Sequence, residues 1–213
     1  MVSTLHPARR LCHFHFCPSP PCHCIPVTAR AKTHRMSPLP ESLTTARLHL
    51  RCAAVDDAGA IFRSYAQDPQ VCRFMVWLPH ASVAVTEDFI ASCVAAWATG
   101  SRKAFVITEL GESEPIGMLE ARMQGSTVDI GYVLAASHWG RGLMPEAIQS
   151  LTLAALYSPE IFRVQATCDT ENTPSQRALE KAGFSREGRM ERHTVHPNIS
   201  AEPRACFMYA KCR

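Results

Sequence analysis

Gly140 and Gly142 stand one residue apart in the run Ser137-His138-Trp139-Gly140-Arg141-Gly142-Leu143-Met144-Pro145-Glu146-Ala147. A strand-like run, 128–134, precedes this segment, and a helix-like run, 145–156, follows it. Glycine lets a backbone turn tightly and approach a ligand with no Cβ in the way. The helix start aims free N–H groups and a positive dipole end back at the loop. Strand, glycine loop and helix start together form a seat for a phosphate-bearing cofactor. Pro145 costs nothing there, because an N–H at that position would have no helical acceptor.

The elements that must hold this loop can be read from periodicity and punctuation. Residues 46–53 alternate, with Leu48, Leu50 and Cys52 on one face, and predict a strand. Asp56 and Asp57 open a helix reaching about residue 67, stopped by Asp68-Pro69. A second helix spans 85–99 and closes at Gly100. Strands are predicted at 104–110, 116–123 and 128–134, with a turn at 111–115 and a hairpin turn at 124–126. After the helix at 145–156 come a strand at 163–169, a polar turn at 170–174, and a short helix at 175–182 capped by Gly183. Residues 205–211 predict a last strand. Strands followed by helices in this order suggest a mixed sheet flanked by helices.

The chain has 213 residues, 46% hydrophobic and 19% charged, which suits one globular domain with a real core. No apolar run is long enough for a membrane helix. Residues 1–35 hold Arg9, Arg10, Arg30, Lys32 and Arg35 and no acid, which leaves 17 basic and 19 acidic residues in the body. A body so near neutrality gives no argument for nucleic-acid binding. Cys52, Cys72, Cys93, Cys168, Cys206 and Cys212 are scattered without a close pair, as expected of reduced thiols in a cytoplasmic protein. Cys12, His13, His15, Cys17, Cys22, His23 and Cys24 can be drawn as a zinc site, although their spacing fits no common finger. The simpler expectation is that residues 1–35 are a disordered or non-native upstream extension and that 36–213 form the single domain, starting at Met36.

Two motifs lie in order in the body. One is Gly131-Tyr132-Val133-Leu134 with Trp139-Gly140-Arg141-Gly142. The other is Asn172-Thr173-Pro174-Ser175-Gln176-Arg177-Ala178-Leu179-Glu180-Lys181-Ala182-Gly183-Phe184. Together they resemble the GNAT superfamily of acyl-CoA-dependent N-acyltransferases. The opening Leu43-Thr44-Thr45-Ala46-Arg47-Leu48-His49-Leu50-Arg51 looks like the branch of ribosomal-protein N-terminal (alanine or serine) acetyltransferases. The resemblance spans about residues 41–211. One departure is Ser137, which stands where the family's pyrophosphate loop often carries Gln or Arg.

The resemblance implies an α/β (α+β) fold: a central mixed, mostly antiparallel sheet flanked by helices, with two strands splayed at the acyl-CoA site. It implies acetyl-CoA as co-substrate, no metal, and a primary amine as acceptor, either a protein N-terminus or a small molecule. A homodimer is left open. Val133, Leu134 and Ala135 would pair with the pantetheine arm, and the pyrophosphate would lie on N–H groups around Trp139, Gly140, Arg141, Gly142, Leu143 and Met144. Arg141 would add a charge to a phosphate or stand as a solvated loop arginine. Trp139 would shield the cofactor or pack under the loop. Asn172 would touch the pantetheine arm or order its own loop. Ser175 would protonate the leaving thiolate or cap its helix. Glu120 is the first candidate for the base that takes the ammonium proton, and Asp129 the second. Tyr132 would pack or line the substrate pocket, and His138 is assigned no role. Arg73, Phe74, Met75, Trp77 and Leu78 would line the acceptor side.

Three functions remain to be separated: an N-acetyltransferase, a non-catalytic acyl-CoA sensor or interaction module of the same fold, and zinc-dependent nucleic-acid binding through residues 1–35.

Overall fold

The computed structural model describes residues 39–213. The expectations placed on residues 1–35, including the zinc site and the start at Met36, lie outside that range. Eight strands form one sheet in the order β1-β2-β3-β4-β5-β6-β8-β7. They are β1 Ser42–Thr44, β2 Leu48–Cys52, β3 Arg102–Glu109, β4 Gly117–Gln124, β5 Thr127–Leu134, β6 Arg163–Asp169, β7 Ser185–Val195 and β8 Pro203–Cys212. β5 with β6 is the one parallel pair among the described residues. The helices are α1 Ala58–Ile61, α2 Pro69–Cys72, α3 Val83–Thr99, α4 Leu143–Tyr157 and α5 Thr173–Lys181.

The parallel pair opens almost as soon as it forms. Thr127, Val128 and Asp129 face Arg163, Val164 and Gln165, and the pairing stops there. β5 stays on β4 as far as Leu134 opposite Gly117, and β6 stays on β8 as far as Asp169 opposite Cys206. Each strand therefore follows its antiparallel partner, and the two part to leave a slot through the sheet.

Strand alternation sorts the core into two layers. Phe105, Ile107, Leu119, Ala121, Val128 and Ile130 face α4, which buries Leu143, Ala147, Ile148, Leu151 and Ala155 against them. Ala104, Val106 and Met118 face the other way, onto Ile61, Tyr65, Ile90 and Cys93. By the same parity, Arg102, Glu120, Arg122 and Asp129 fall on the α1–α3 face, and Tyr132 on the α4–α5 face. Lys103, with a side chain only 1% exposed, ties the entry segment to the sheet by donating to the Leu39 and Pro40 carbonyls and to Glu41.

Several elements differ from expectation for local reasons. The strand predicted over 46–53 begins only at Leu48, because Thr45 Oγ1 accepts from the Leu48 N–H and turns the chain. The helix predicted over 56–67 is three short pieces: a 3₁₀ turn Val55–Asp57, α1, and a π turn Phe62–Ala66. α4 starts two residues early, at Leu143. Ser175 does not cap α5. Asn172 does, accepting the Ser175 N–H at 3.2 Å, so Ser175 sits inside the first turn with its hydroxyl released. Gly183 ends α5, with Phe184 N–H on Leu179 O and Gly183 N–H on Glu180 O. β7 was not expected at all, and β8 lies inside the sheet between β6 and β7.

Candidate active site

The slot between β5 and β6 is the middle of a cavity of about 390 Å³ that reaches both faces of the sheet. Its walls are Ile130–Val133 from β5, Thr167–Asp169 from β6, Asn172 and Ser175 at the head of α5, Thr194 from β7, His196 just after it, and Cys206 from β8. Phe74, Met75, Val76, Trp77, His80 and Phe89 close the α1–α3 side. Of the five residues expected there, Phe74, Met75 and Trp77 line the cavity. Arg73 instead stacks on Phe74, and Leu78 points to solvent.

At one end of the slot the glycine loop behaves as its sequence requires. Gly140 and Gly142 have φ of 76° and 75°, and Gly142 is the N-cap of α4. The N–H groups of Leu143 and Met144 lie in the first helical turn, where geometry leaves them no helical acceptor. Arg47 stands behind the loop and donates to Arg141 O (2.9 Å), Gly142 O (3.2 Å) and Glu146 Oε2 (2.7 Å). Arg141 is held by Glu109 through two hydrogen bonds of 2.7 Å rather than lying free in solvent. That pairing holds the Glu109 carboxyl below the usual carboxylate range and raises the guanidinium above its own. Trp139 is half-exposed and donates its indole N–H to Leu134 O at 2.8 Å.

The β5 backbone is more selective than expected. Ala135 donates to Ile116 O and accepts from His138 N–H, so both its polar groups are taken. Peptide groups alternate along a strand, so Val133 also faces β4, and the N–H groups of Leu134 and Tyr132 turn to the slot. Of the three positions expected to pair with a pantetheine arm, only Leu134 presents an N–H. Tyr132 is the second such position; counting back two from Leu134 would have found it.

The candidate proton-transfer groups sit on opposite faces. Glu120 lines the cavity with its carboxylate on Arg122 (2.5 Å) and Arg102 (3.4 Å). Asp129 lies behind it, bonded to Arg122 and, at 3.4 Å, to Gln165. Burial works against the Arg122 charge, but its bonds to Asp129 and Glu120 outweigh that and raise its pKa. Across the slot, Tyr132 Oη and Ser175 Oγ are 2.8 Å apart. Burial pushes the Tyr132 phenol above its ordinary range and the neighbouring Cys168 thiol up to about 12. Both groups therefore hold their protons at neutral pH.

Two further residues have no signal in the sequence. Asn198, in the β7–β8 loop, donates to Cys72 O (2.7 Å) and Trp77 O (2.8 Å) and pins the aromatic segment over the cavity. Asp169 is fully buried: burial raises its pKa, and the bonds from Arg204 and the Glu171 N–H outweigh that and lower it.

Residues 47–185 match the family model of the acetyltransferase (GNAT) domain. The chain is 32% identical to the uncharacterized N-acetyltransferase p20 of Bacillus licheniformis over 151 residues, which is 70% of this chain and 84% of that protein. It is 34% identical to the ribosomal-protein-serine acetyltransferase of Escherichia coli strain K12 over 92 residues, covering 42% and 50% of the two chains. The fold matches the microcin C7 self-immunity acetyltransferase MccE, solved with acetyl-CoA and AMP. The TM-score is 0.73 at 20% identity, over 83% of this chain and 99% of that one. The chain belongs to the GNAT acetyltransferase family. Among the described residues, no helix is long and apolar enough to cross a membrane.

Proposed function

We propose that this GNAT acetyltransferase moves an acetyl group from acetyl-CoA to a primary amine by direct attack in a ternary complex. The observation that carries the reading is the slot through the sheet. A carboxylate faces it from one side, a hydroxyl pair from the other, and a glycine-loop helix start stands at its head. The residues fit the cofactor: Gly140 to Met144 offer N–H groups to the pyrophosphate, and the Leu134 and Tyr132 N–H groups face the pantetheine path. When bound, acetyl-CoA supplies the acetyl thioester. At the thioester end of that path the Leu134 N–H would hold the oxygen on which negative charge develops, leaving the Tyr132 N–H for the pantetheine arm. Glu120 takes the proton from the amine, directly or through one water, while Arg102, Arg122 and Asp129 orient it. Ser175 gives a proton to the departing thiolate while taking one from the Tyr132 hydroxyl bonded to it, and solvent restores the Tyr132 proton after CoA leaves. Holding both reactants in one slot supplies much of the rate. The domain doing this is the body, 36–213, in the cytoplasm.

The acceptor enters over Phe74, Trp77, His80 and Phe89, which suit an amine on an apolar stem. A protein N-terminus is the first class to test, since the ribosomal-protein-serine enzyme is among the relatives. The test is calorimetric titration with acetyl-CoA, followed by CoA release on a panel of N-terminal peptides, amino acids, polyamines and aminoglycosides. Binding with turnover on one class establishes the reading. Binding with no turnover on any class makes the protein an acyl-CoA sensor, and no binding sinks the cofactor assignment.

A further inference from the structure

We propose that Arg47 is a positioning residue for the phosphate cradle: it sets the direction of the cradle's N–H groups from behind and does not touch the cofactor. This rests on the proposed acetyl-CoA reading. The argument starts from peptide geometry. Every described peptide bond is trans, and in a planar trans unit the C=O and the N–H point in opposite directions. The Arg141 carbonyl shares its peptide plane with the Gly142 N–H, and the Gly142 carbonyl with the Leu143 N–H. Arg47 holds both carbonyls on its own side, at 2.9 and 3.2 Å, and the Gly142 carbonyl also takes the first helical bond, from Glu146 N–H at 3.4 Å. The Gly142 and Leu143 N–H groups must then point away from Arg47, the side on which the proposal puts the pyrophosphate.

Arg47 is itself fixed. Its Nε donates to Glu146 Oε2 at 2.7 Å and its backbone N–H to Glu146 Oε1 at 3.1 Å, while Thr45 Oγ1 donates to Oε1 at 2.6 Å. Burial raises the Glu146 pKa, and the Thr45 and Arg47 hydrogen bonds outweigh that and keep it charged. Glu146 is an anion in the first turn of α4, where it would compete with a phosphate for the same dipole end. The clasp neutralises it and draws it to the back of the loop. A Cβ on Gly142 would lie 3.7 Å from Arg47 Nη2, an ordinary contact, so it is the φ of 75° and not lack of space that calls for glycine there. A Lys at 47 would carry the charge without the planar fork.

The test uses the full chain, labelled for amide NMR, titrated separately with CoA and with pantetheine, which lacks the pyrophosphate. Arg47→Ala should weaken CoA about 30-fold, as expected for two lost hydrogen bonds that fix the cradle. Pantetheine affinity should stay within about twofold, and the Gly142 and Leu143 amide shifts on CoA addition should disappear. Arg47→Lys should recover less than half of the loss on a logarithmic scale. Glu146→Gln, which leaves the loop untouched, should show a smaller loss with the same selectivity. Equal weakening of CoA and pantetheine, full recovery by Lys, or unchanged CoA affinity would each overturn the proposal. A wild-type chain that binds neither ligand overturns the cofactor reading itself, and the role of Arg47 with it.

Discussion

The glycine-loop end of the slot presents backbone, whereas the aromatic end presents side chains. At the first end Leu143 and Met144 bury their side chains and offer N–H groups, and the exposed Arg47 and Arg141 and the half-buried Glu109 bond one another or the loop. At the second end Phe74, Trp77, His80 and Phe89 make the wall themselves, on a segment that Asn198 ties down by two carbonyls. Backbone recognition suits a ligand portion that never varies and fixes its geometry through polar bracing. A side-chain wall can be recut residue by residue without disturbing the sheet. One scaffold can thereby keep its cofactor and change its acceptor.

Substitutions that touch the middle of the slot should cut across this contrast with the largest effects. Glu120→Gln and Ser175→Ala, on opposite faces, should each lower kcat about 100-fold in a CoA-release assay, with acetyl-CoA affinity unchanged. If either variant changed binding instead of kcat, the assignment of proton transfer would fail. Gly142→Val forces a β-branched residue to φ 75°. It should weaken acetyl-CoA about 50-fold by calorimetry while leaving the acceptor KM alone. Asn198→Ala should do the reverse, raising the acceptor KM about 10-fold through two lost hydrogen bonds, with the cofactor Kd unmoved. A drop in both affinities would mean that the two ends are one cooperative unit.

The smallest effect is a pH dependence. The folded Glu146 pKa is depressed, so its clasp contributes stability that is fully present above the unfolded carboxylate range, about 4.3. That contribution is lost as pH falls through the depressed folded value. The pair is partly exposed, so the gap between wild type and Glu146→Gln should be a few tenths of a kcal/mol. Thermal melts from pH 7 down to 3 should show this gap closing in acid. A gap that persists or widens would reverse the sign.

Much of the frame was legible because it is punctuated locally. The strand at 163–169 was read to the residue, since polar and apolar positions alternate between clear turns. The end of α5 follows from Gly183 just past it, while its start lies two residues earlier than expected, with Pro174 inside the first turn and not in the turn before it. β7 was illegible: Ser185–Val195 is an edge strand, almost wholly exposed, whose Arg, Glu and His residues show no alternation. The helix predicted over 56–67 was read as one piece because a π turn changes the hydrogen-bond register without a change of composition. In the site, the cradle was visible through its glycines, but its braces were not. Arg47 meets Glu146 from 99 residues away and Asn198 meets Cys72 from 126, distances over which periodicity carries no signal. Of the two roles open to Ser175, the cap goes to Asn172: both are good capping residues, and only the backbone angles choose between them.

β8, the last strand of the chain, lies inside the sheet, between β6 and β7. A ribosome therefore delivers β6 long before its principal neighbour, and β5 offers it only three residues in the meantime. Until β8 arrives, the far wall of the slot has no backing, and there is nothing for a cofactor to enter. Ligand binding then becomes a mark that β8 has been made and paired. A chain cut short before Pro203 would be cleared by proteases rather than persist as a half-working enzyme.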